Sequence, residues 1–297
     1  MLQPEAKFKI LIDFNLEIGE SPVLDERRGV LWFVDILSPA VLCLEPTTRK
    51  ISSHAMPSAV GCVSLSSDDR LVVALRTGVH LFDPGSGALV FLVHPEPDRT
   101  MNRLNDGKVG PDGCFWIGSM HDSIPRAASG ALYRVAPSGE CRCVLNGIKV
   151  SNGLAWSPDG RTMYHADSRG QYVNAFDFDL ATGSLSNGRP LLTLTEEQGL
   201  PDGAAVDDKG FYWSAGVTAG KLNKISPQGV LVESIKLPVA APTMPCFGGA
   251  DGRTIFVTSL ASDRSGRRED GTLISLESDC VGAPVGRFGD VSTLVRS

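Results

Sequence analysis

The sequence has no long apolar run, no basic stripe and no paired-cysteine motif, and each absence removes a class of protein. No stretch approaches the ~18 apolar residues that a membrane span needs, so no membrane is expected as a partner. The patch Ile10-Leu11-Ile12, behind Lys7 and Lys9, is too short for the apolar region of a signal peptide, and no small-residue cleavage site follows it. The formal net charge is −6, and the densest basic stretch, Arg264 to Arg268, runs at once into Glu269 and Asp270, which reads as a solvated loop. A nucleic-acid partner calls for a basic face, and none is expected here. The seven cysteines (Cys43, Cys62, Cys114, Cys141, Cys143, Cys246 and Cys280) form no C-x-x-C pair. That gives zinc-ribbon and thioredoxin readings no support, and scattered free thiols fit a reducing, cytoplasmic location. The five histidines make no H-E-x-x-H, and there is no G-x-S-x-G elbow; a histidine-zinc protease and a serine esterase are unsupported. No segment beyond about ten residues keeps a helical period, which disfavours α/β classes.

What is present is a repeat. Hydrophobic residues make up 42% and charged residues 21% of the 297, an ordinary globular balance. Six segments carry an acidic turn leading into a short apolar or aromatic run. They are Asp25 to Gly29 before Val30-Leu31-Trp32-Phe33, Ser67 to Arg70 before Leu71-Val72-Val73, and Pro111-Asp112-Gly113 before Cys114-Phe115-Trp116-Ile117. The other three are Pro158-Asp159-Gly160 before Arg161 to Tyr164, Asp207 to Gly210 before Phe211-Tyr212-Trp213, and Ala250-Asp251-Gly252 before Arg253 to Val257. Successive turns lie about 43 to 50 residues apart, in the range of propeller blades of roughly 40–50 residues. Asp-Gly supplies the positive φ of a tight hairpin, and β-branched and aromatic neighbours favour strands. Second turns at residues 83–87, 137–139, 181–183 and 227–229 complete units of about four strands. The spacing predicts an all-β fold, a six-bladed β-propeller with four-stranded blades, as a single domain over residues 1–297; a β-sandwich is the alternative. Lys9 to Asp13 and Thr272 to Leu276 are expected to pair within one blade and close the ring. Trp32, Trp116, Trp156 and Trp213 are expected between blades, in the core.

Each repeat should open with the innermost strand, lining the axis. Eight residues before the turn glycine stand Asn105, Asn152, Asp202 and Met244 in four repeats; Glu20 lies nine before Gly29, and the region of Val60 and Gly61 offers nothing polar. Two carboxylates and two amides thus recur at one repeat position, a register that turn dipeptides such as Asn152-Gly153 have no reason to keep. Such an oxygen-rich set suits Ca²⁺, Mg²⁺ or Mn²⁺ and leaves room for water and substrate.

The chain resembles the SMP-30/gluconolactonase/regucalcin-like family. The resemblance rests on Gly19-Glu20-Ser21-Pro22-Val23, Leu31 to Ile36, Asn102-Arg103-Leu104-Asn105-Asp106-Gly107-Lys108-Val109, Ser151 to Gly160 and Pro201-Asp202-Gly203, and covers nearly the whole chain. It implies one divalent metal ion held by Glu20, Asn152 and Asp202, with Asn105 close by and Arg103 reaching substrate hydroxyls. Asp202 is implied as general base, and a lactone carbonyl would be polarised by the metal. The partner expected is a small-molecule sugar lactone, hydrolysed by a monomer or weak homo-oligomer in carbohydrate catabolism. In sugar-lactonase relatives a Glu follows the Gly118-Ser119-Met120 segment; here Ser123 stands at that position. His121-Asp122 looks like bacterial pentonolactonases of the xylonolactonase type, members that extend the possible metals to Fe²⁺ and Zn²⁺. Ser123 and His121 are therefore candidate substrate contacts. A calcium-binding regulatory propeller and an aryl-ester or organophosphate hydrolase are the alternatives. His165 could also face the channel mouth, although a structural role is favoured for it.

Overall fold

The computed structural model describes residues 8–12, 14–261 and 270–290. Residues 1–7, Asp13 and the basic stretch Arg264 to Arg268 lie outside the described residues. Six four-stranded antiparallel sheets form the blades of a propeller, and the described residues contain no helix. Blades 1 to 5 run over residues 19–55, 60–93, 102–148, 151–193 and 201–236. Blade 6 joins 242–277 to Phe8–Ile10. The ring closes as its ends suggest: Phe8 pairs with Leu276, Lys9 with Ser275 and Ile10 with Ile274, so no open sheet edge remains there.

The acidic turns act as clasps for the aromatic runs that follow them. Asp112 accepts the indole N–H of Trp116 (3.2 Å), and Asp207 that of Trp213 (3.0 Å). The clasped rings reach across to the next blade. Trp116 meets Trp156 edge-on at 6.0 Å between centroids, and Trp213 meets Phe247 at 5.9 Å, contacts worth about 0.5–1.5 kcal/mol each beyond their buried area. Trp32 packs with Val63, Val73 and Phe82 of blade 2. All four tryptophans are buried, as inter-blade core.

One feature of the inner strands was not visible in the repeat. Each of the six carries a register shift against its neighbour, between Glu20 and Val23, Val60 and Cys62, Leu104 and Gly107, Asn152 and Ala155, Pro201 and Ala204, and Pro242 and Pro245. A β-bulge re-aims a side chain out of the pleat, and here it does so at the same height in every blade. In blade 2 the bulge holds Gly61, where an added Cβ would come within 2.6 Å of the Asn105 and Leu104 carbonyls. That blade gives the axis no donor but makes room for the strand that carries Asn105.

After the last blade, residues 279–290 cross one end of the ring. Ala283 N–H donates to Val206 O (2.9 Å), Phe288 N–H to Leu65 O (2.9 Å) and Gly289 N–H to Gly113 O (2.9 Å). Arg287 reaches Asp25 of blade 1 at 2.9 Å. Beneath this strap is a cavity of only about 60 Å³, bordered by Trp156, Met244, Phe247 and Pro284.

Candidate active site

The opposite end of the inner strands opens into a cavity of about 750 Å³. Glu20, Arg103, Asn105, Asn152 and Asp202 all line it. The structure thus brings together five of the residues singled out in the sequence. It does not bring His121 and Ser123 into the lining. They stand behind it, where the His121 carbonyl accepts Arg126 Nη1 at 2.6 Å and the His121 ring meets the Ser123 carbonyl at 3.2 Å. In blade 6 Thr243 lines the cavity, and Met244 borders the small cavity under the strap. The hairpin between bulge and turn glycine is longer there, from Pro245 to Gly252, than in blade 5, from Ala204 to Gly210. Counting eight back from the glycine therefore stops one residue short, at Met244 instead of Thr243. The Thr243 hydroxyl is engaged by Gly19 O and Thr258 Oγ1, so it steadies the strand of Glu20.

Glu20 and Asn152 are set by one device used twice. Asp35 accepts the N–H groups of Glu17 and Ile18 at 2.9 and 3.1 Å, and Asp167 those of Lys149 and Val150 at 2.9 and 3.1 Å. Each carboxylate pins the chain just before the inner strand. Directly after Glu20 and Asn152, Ser21 and Gly153 turn to φ 52° and 64°. Glycine adopts that region freely, whereas serine is strained there by about 1–2 kcal/mol. Ser21 is held in place by blade 2, its Oγ donating to Val63 O (2.9 Å) and accepting from Val63 N–H (3.0 Å).

A hydrogen-bonded chain orients the amides. Asp122 accepts Arg103 Nε at 3.1 Å, and Arg103 Nη1 donates to Asn105 Oδ1 at 2.6 Å. Asn105 Nδ2 donates to Asn152 Oδ1 and to Ser151 O, each at 3.0 Å. Asn152 Nδ2 donates to Ser168 Oγ at 2.7 Å. The Asn152 oxygen accepts from the Asn105 amide, whereas the Asn105 oxygen is turned to Arg103. Behind Asn152, His165 Nε2 lies 2.8 Å from Ser151 Oγ in full burial. Burial depresses the His165 ring to about 4, so it is neutral at physiological pH and plays a packing part. Gly118 is required beside it, because a Cβ there would fall 1.9 Å from Ser151 Oγ.

The electrostatics mark the site as short of positive charge. Burial pushes the Glu20 carboxyl well above its usual range, and the neighbouring Asp202 and Asp106 carboxylates push it further. Asp202 is pushed up to about 8, by burial first and by Asp106 second, against the pull of Arg103. Among the described residues no hydrogen bond or ion pair satisfies the Asp202 carboxylate. Two such carboxylates and an amide oxygen lining one cavity suit a hard divalent cation with positions left open. Among the described residues no three His, Cys, Asp or Glu side chains converge; the donor set is two carboxylates with an amide. Deeper along the axis, Asp106 is also raised by burial and countered by Lys108, whose Nζ donates to Ala204 O at 2.7 Å. Ser168 and Asp167 were missed in the sequence, and Asp122 and Asp35 were noted only within motif segments, with no positioning role read from them. Asp35 and Asp167 both end the second strand of a blade, an equivalence that emerges once the strands are paired.

Acids and amides of the inner strands thus line one open cavity at one end of a six-bladed ring. The chain belongs to the SMP-30/gluconolactonase/LRE-like family, whose model matches residues 18–261. It is 34% identical to regucalcin from Xenopus laevis over 258 residues, 85% of this chain and 86% of that one. It is 35% identical to the 6-deoxy-6-sulfogluconolactonase of Pseudomonas putida over 249 residues, 84% of this chain and 85% of the relative. Among solved structures, a calcium-binding protein, regucalcin, from Agrobacterium tumefaciens superposes with a TM-score of 0.90 at 26% identity, covering 96% of this chain and 98% of that one. No helix of the described residues is long and apolar enough to cross a membrane.

Proposed function

We propose that the protein hydrolyses a sugar lactone, an aldonolactone, to its aldonic acid, using one divalent cation held by Glu20, Asn152 and Asp202. The observation that carries the reading is the convergence of those donors, from blades 1, 4 and 5, on the floor of a single open cavity. The lactonase relative supports the reaction class. When bound, the cation supplies Lewis acidity to the lactone carbonyl and lowers the pKa of nearby water. The rest falls to side chains. Asp202 accepts the proton of the attacking water on a carboxylate oxygen, and the ring C–O bond breaks as that proton passes on to the departing hydroxyl. Arg103, fixed by Asp122, and Asn105, fixed by Arg103, bind the sugar hydroxyls and hold the ring over the floor. His121 serves the site indirectly, its carbonyl seating Arg126, and the Ser123 carbonyl holds the His121 ring.

The test is lactone hydrolysis by chelator-stripped protein, followed by pH indicator, over pentono- and hexonolactones with Ca²⁺, Mg²⁺, Mn²⁺, Zn²⁺ and Fe²⁺ restored singly. Metal-restored turnover is expected, and Asp202→Asn should lower kcat by at least about 100-fold, the usual weight of a positioned base. Turnover at the wild-type rate in Asp202→Asn with metal bound would remove the base assignment. Metal binding with no lactone or aryl ester turned over would favour a calcium-binding regulatory role, in keeping with the regucalcin relatives.

A further inference from the structure

The cavity wall is charged unevenly. Its two carboxylates, Glu20 and Asp202, stand on blades 1 and 5, whereas three arginines, Arg103, Arg126 and Arg169, stand on the adjacent blades 3 and 4. Two of these share one partner: Arg103 and Arg126 both lie on Asp122 Oδ1, at 3.1 and 3.8 Å, and Arg76 takes Oδ2 of the same carboxylate. Three guanidiniums on a single carboxylate leave that group in excess of positive charge. Arg103 registers the crowding, since burial first and then Arg126 and Arg76 draw its guanidinium below the ordinary value. On blade 4 Arg169 lies on an exposed turn, its backbone fixed by Asp167, and among the described residues no carboxylate pairs with its side chain. A neutral polyol ring takes hydrogen bonds from Arg103 and Asn105 but offers no counter-charge to Arg126 and Arg169. An anionic group suits them, because arginine binds carboxylate, phosphate and sulfonate oxygens through paired N–H donors.

The geometry points to a substrate that carries an anionic group at the end remote from its lactone carbonyl, bound by Arg126 and Arg169 with Arg103 between them and the floor. This rests on the lactonase reading and deepens it: the carbonyl lies by the inner-strand residues Glu20, Asn152 and Asp202, and the anion by the segments between second and third strands that carry Arg126 and Arg169. A cavity of about 750 Å³ falls within the size of pockets that enclose small ligands, roughly 300–1,000 Å³. Two separate recognition points would fix the ring's orientation as well as its charge.

The experiment compares kcat/KM of the metal-loaded protein for gluconolactone and for the same ring bearing a terminal carboxylate, phosphate or sulfonate, in the wild type, Arg126→Gln and Arg169→Gln. In parallel, calorimetry measures binding of the four corresponding open-chain acids. At least one charged lactone is expected to exceed the neutral one by about tenfold, the factor that about 1.4 kcal/mol makes. The preference should shrink several-fold in either variant and with added salt, and the acids should bind in the same order. The three charged arms identify which anion the arginines select. A neutral lactone equal to or better than all three, or a preference unchanged by both substitutions, overturns the proposal. If no lactone is turned over, the lactonase reading fails by itself. The anion site is then decided by the acids: preferential binding of a charged-end acid that drops in Arg126→Gln or Arg169→Gln sustains it, and equal binding rejects it.

Discussion

Asp202 concentrates the chemistry into one side chain, and its titration offers a direct check. The carboxyl is pushed up to about 8 by burial and by Asp106, and Glu20 moves in the same direction. In unfolded chain both acids would titrate near 4. Between those limits the metal-free folded state holds more protons than the unfolded state, so its stability falls as pH rises from about 4 to about 8. A bound cation replaces those protons, and its affinity should rise over the same window. The expected outcome is a Tm difference between metal-loaded and metal-free protein that widens from pH 5 to pH 8 and narrows again in its pH dependence in Asp202→Asn. Thermal melts with and without saturating cation check it; a gap independent of pH would contradict the assignment. The residues of this site were legible to different degrees. Glu20, Asn105, Asn152 and Asp202 occupy a repeat position, so periodicity exposed them. Asp122, Arg126 and Arg169 sit between strands, where one blade's loop says nothing about the next, and only folding brings them to the same wall.

At the scale of the strand, the bulge rather than the pleat decides where donors point. The strand pattern was readable because Asp-Gly turns and aromatic runs are local signals. The bulge was not, since it is set by pairing with a strand of other sequence, as the unequal hairpins of blades 5 and 6 show. Ser21 marks its cost most clearly. A serine at φ 52° persists because two hydrogen bonds to Val63 hold it there. Its backbone N–H also donates to Glu20 Oε2 at 2.8 Å, so the strained turn and the carboxylate form one unit. Ser21→Ala removes both bonds to Val63 and leaves a buried N–H and C=O unsatisfied, which should cost about 1–3 kcal/mol. It should also weaken metal affinity, as Glu20 loses its fixed support. Denaturant unfolding and calorimetric metal titration of the variant read the two effects separately. A loss of stability with unchanged affinity would show that Glu20 is positioned from the other side, by Asp35.

At the scale of the whole ring, one mouth must be shut for the other to serve as a binding site. A ring of six inner strands leaves an axial passage, and residues 279–290 close its lower end by bonding to blades 5, 2 and 3 in turn. Phe288 is buried against Cys62, Val72 and Phe115 of blades 2 and 3, and Arg287 docks on Asp25 of blade 1. Burial works against the Asp25 carboxylate, yet Arg287 and Arg27 hold it below the usual carboxylate range. The strap therefore joins blades far apart in sequence. Phe288→Ala should cost about 3–5 kcal/mol through lost burial and the cavity left behind. The cation site, carried on the opposite ends of the inner strands, should keep its affinity, because the Asp35 and Asp167 pins do not touch the strap. Denaturant unfolding of Phe288→Ala beside a metal titration at permissive temperature measures both quantities. A large stability loss with intact affinity would establish the strap as a closure independent of the site. Affinity lost in step with stability would mean that the strap and the six bulges are held by one cooperative ring, with the strap as part of what aims Glu20 and Asp202.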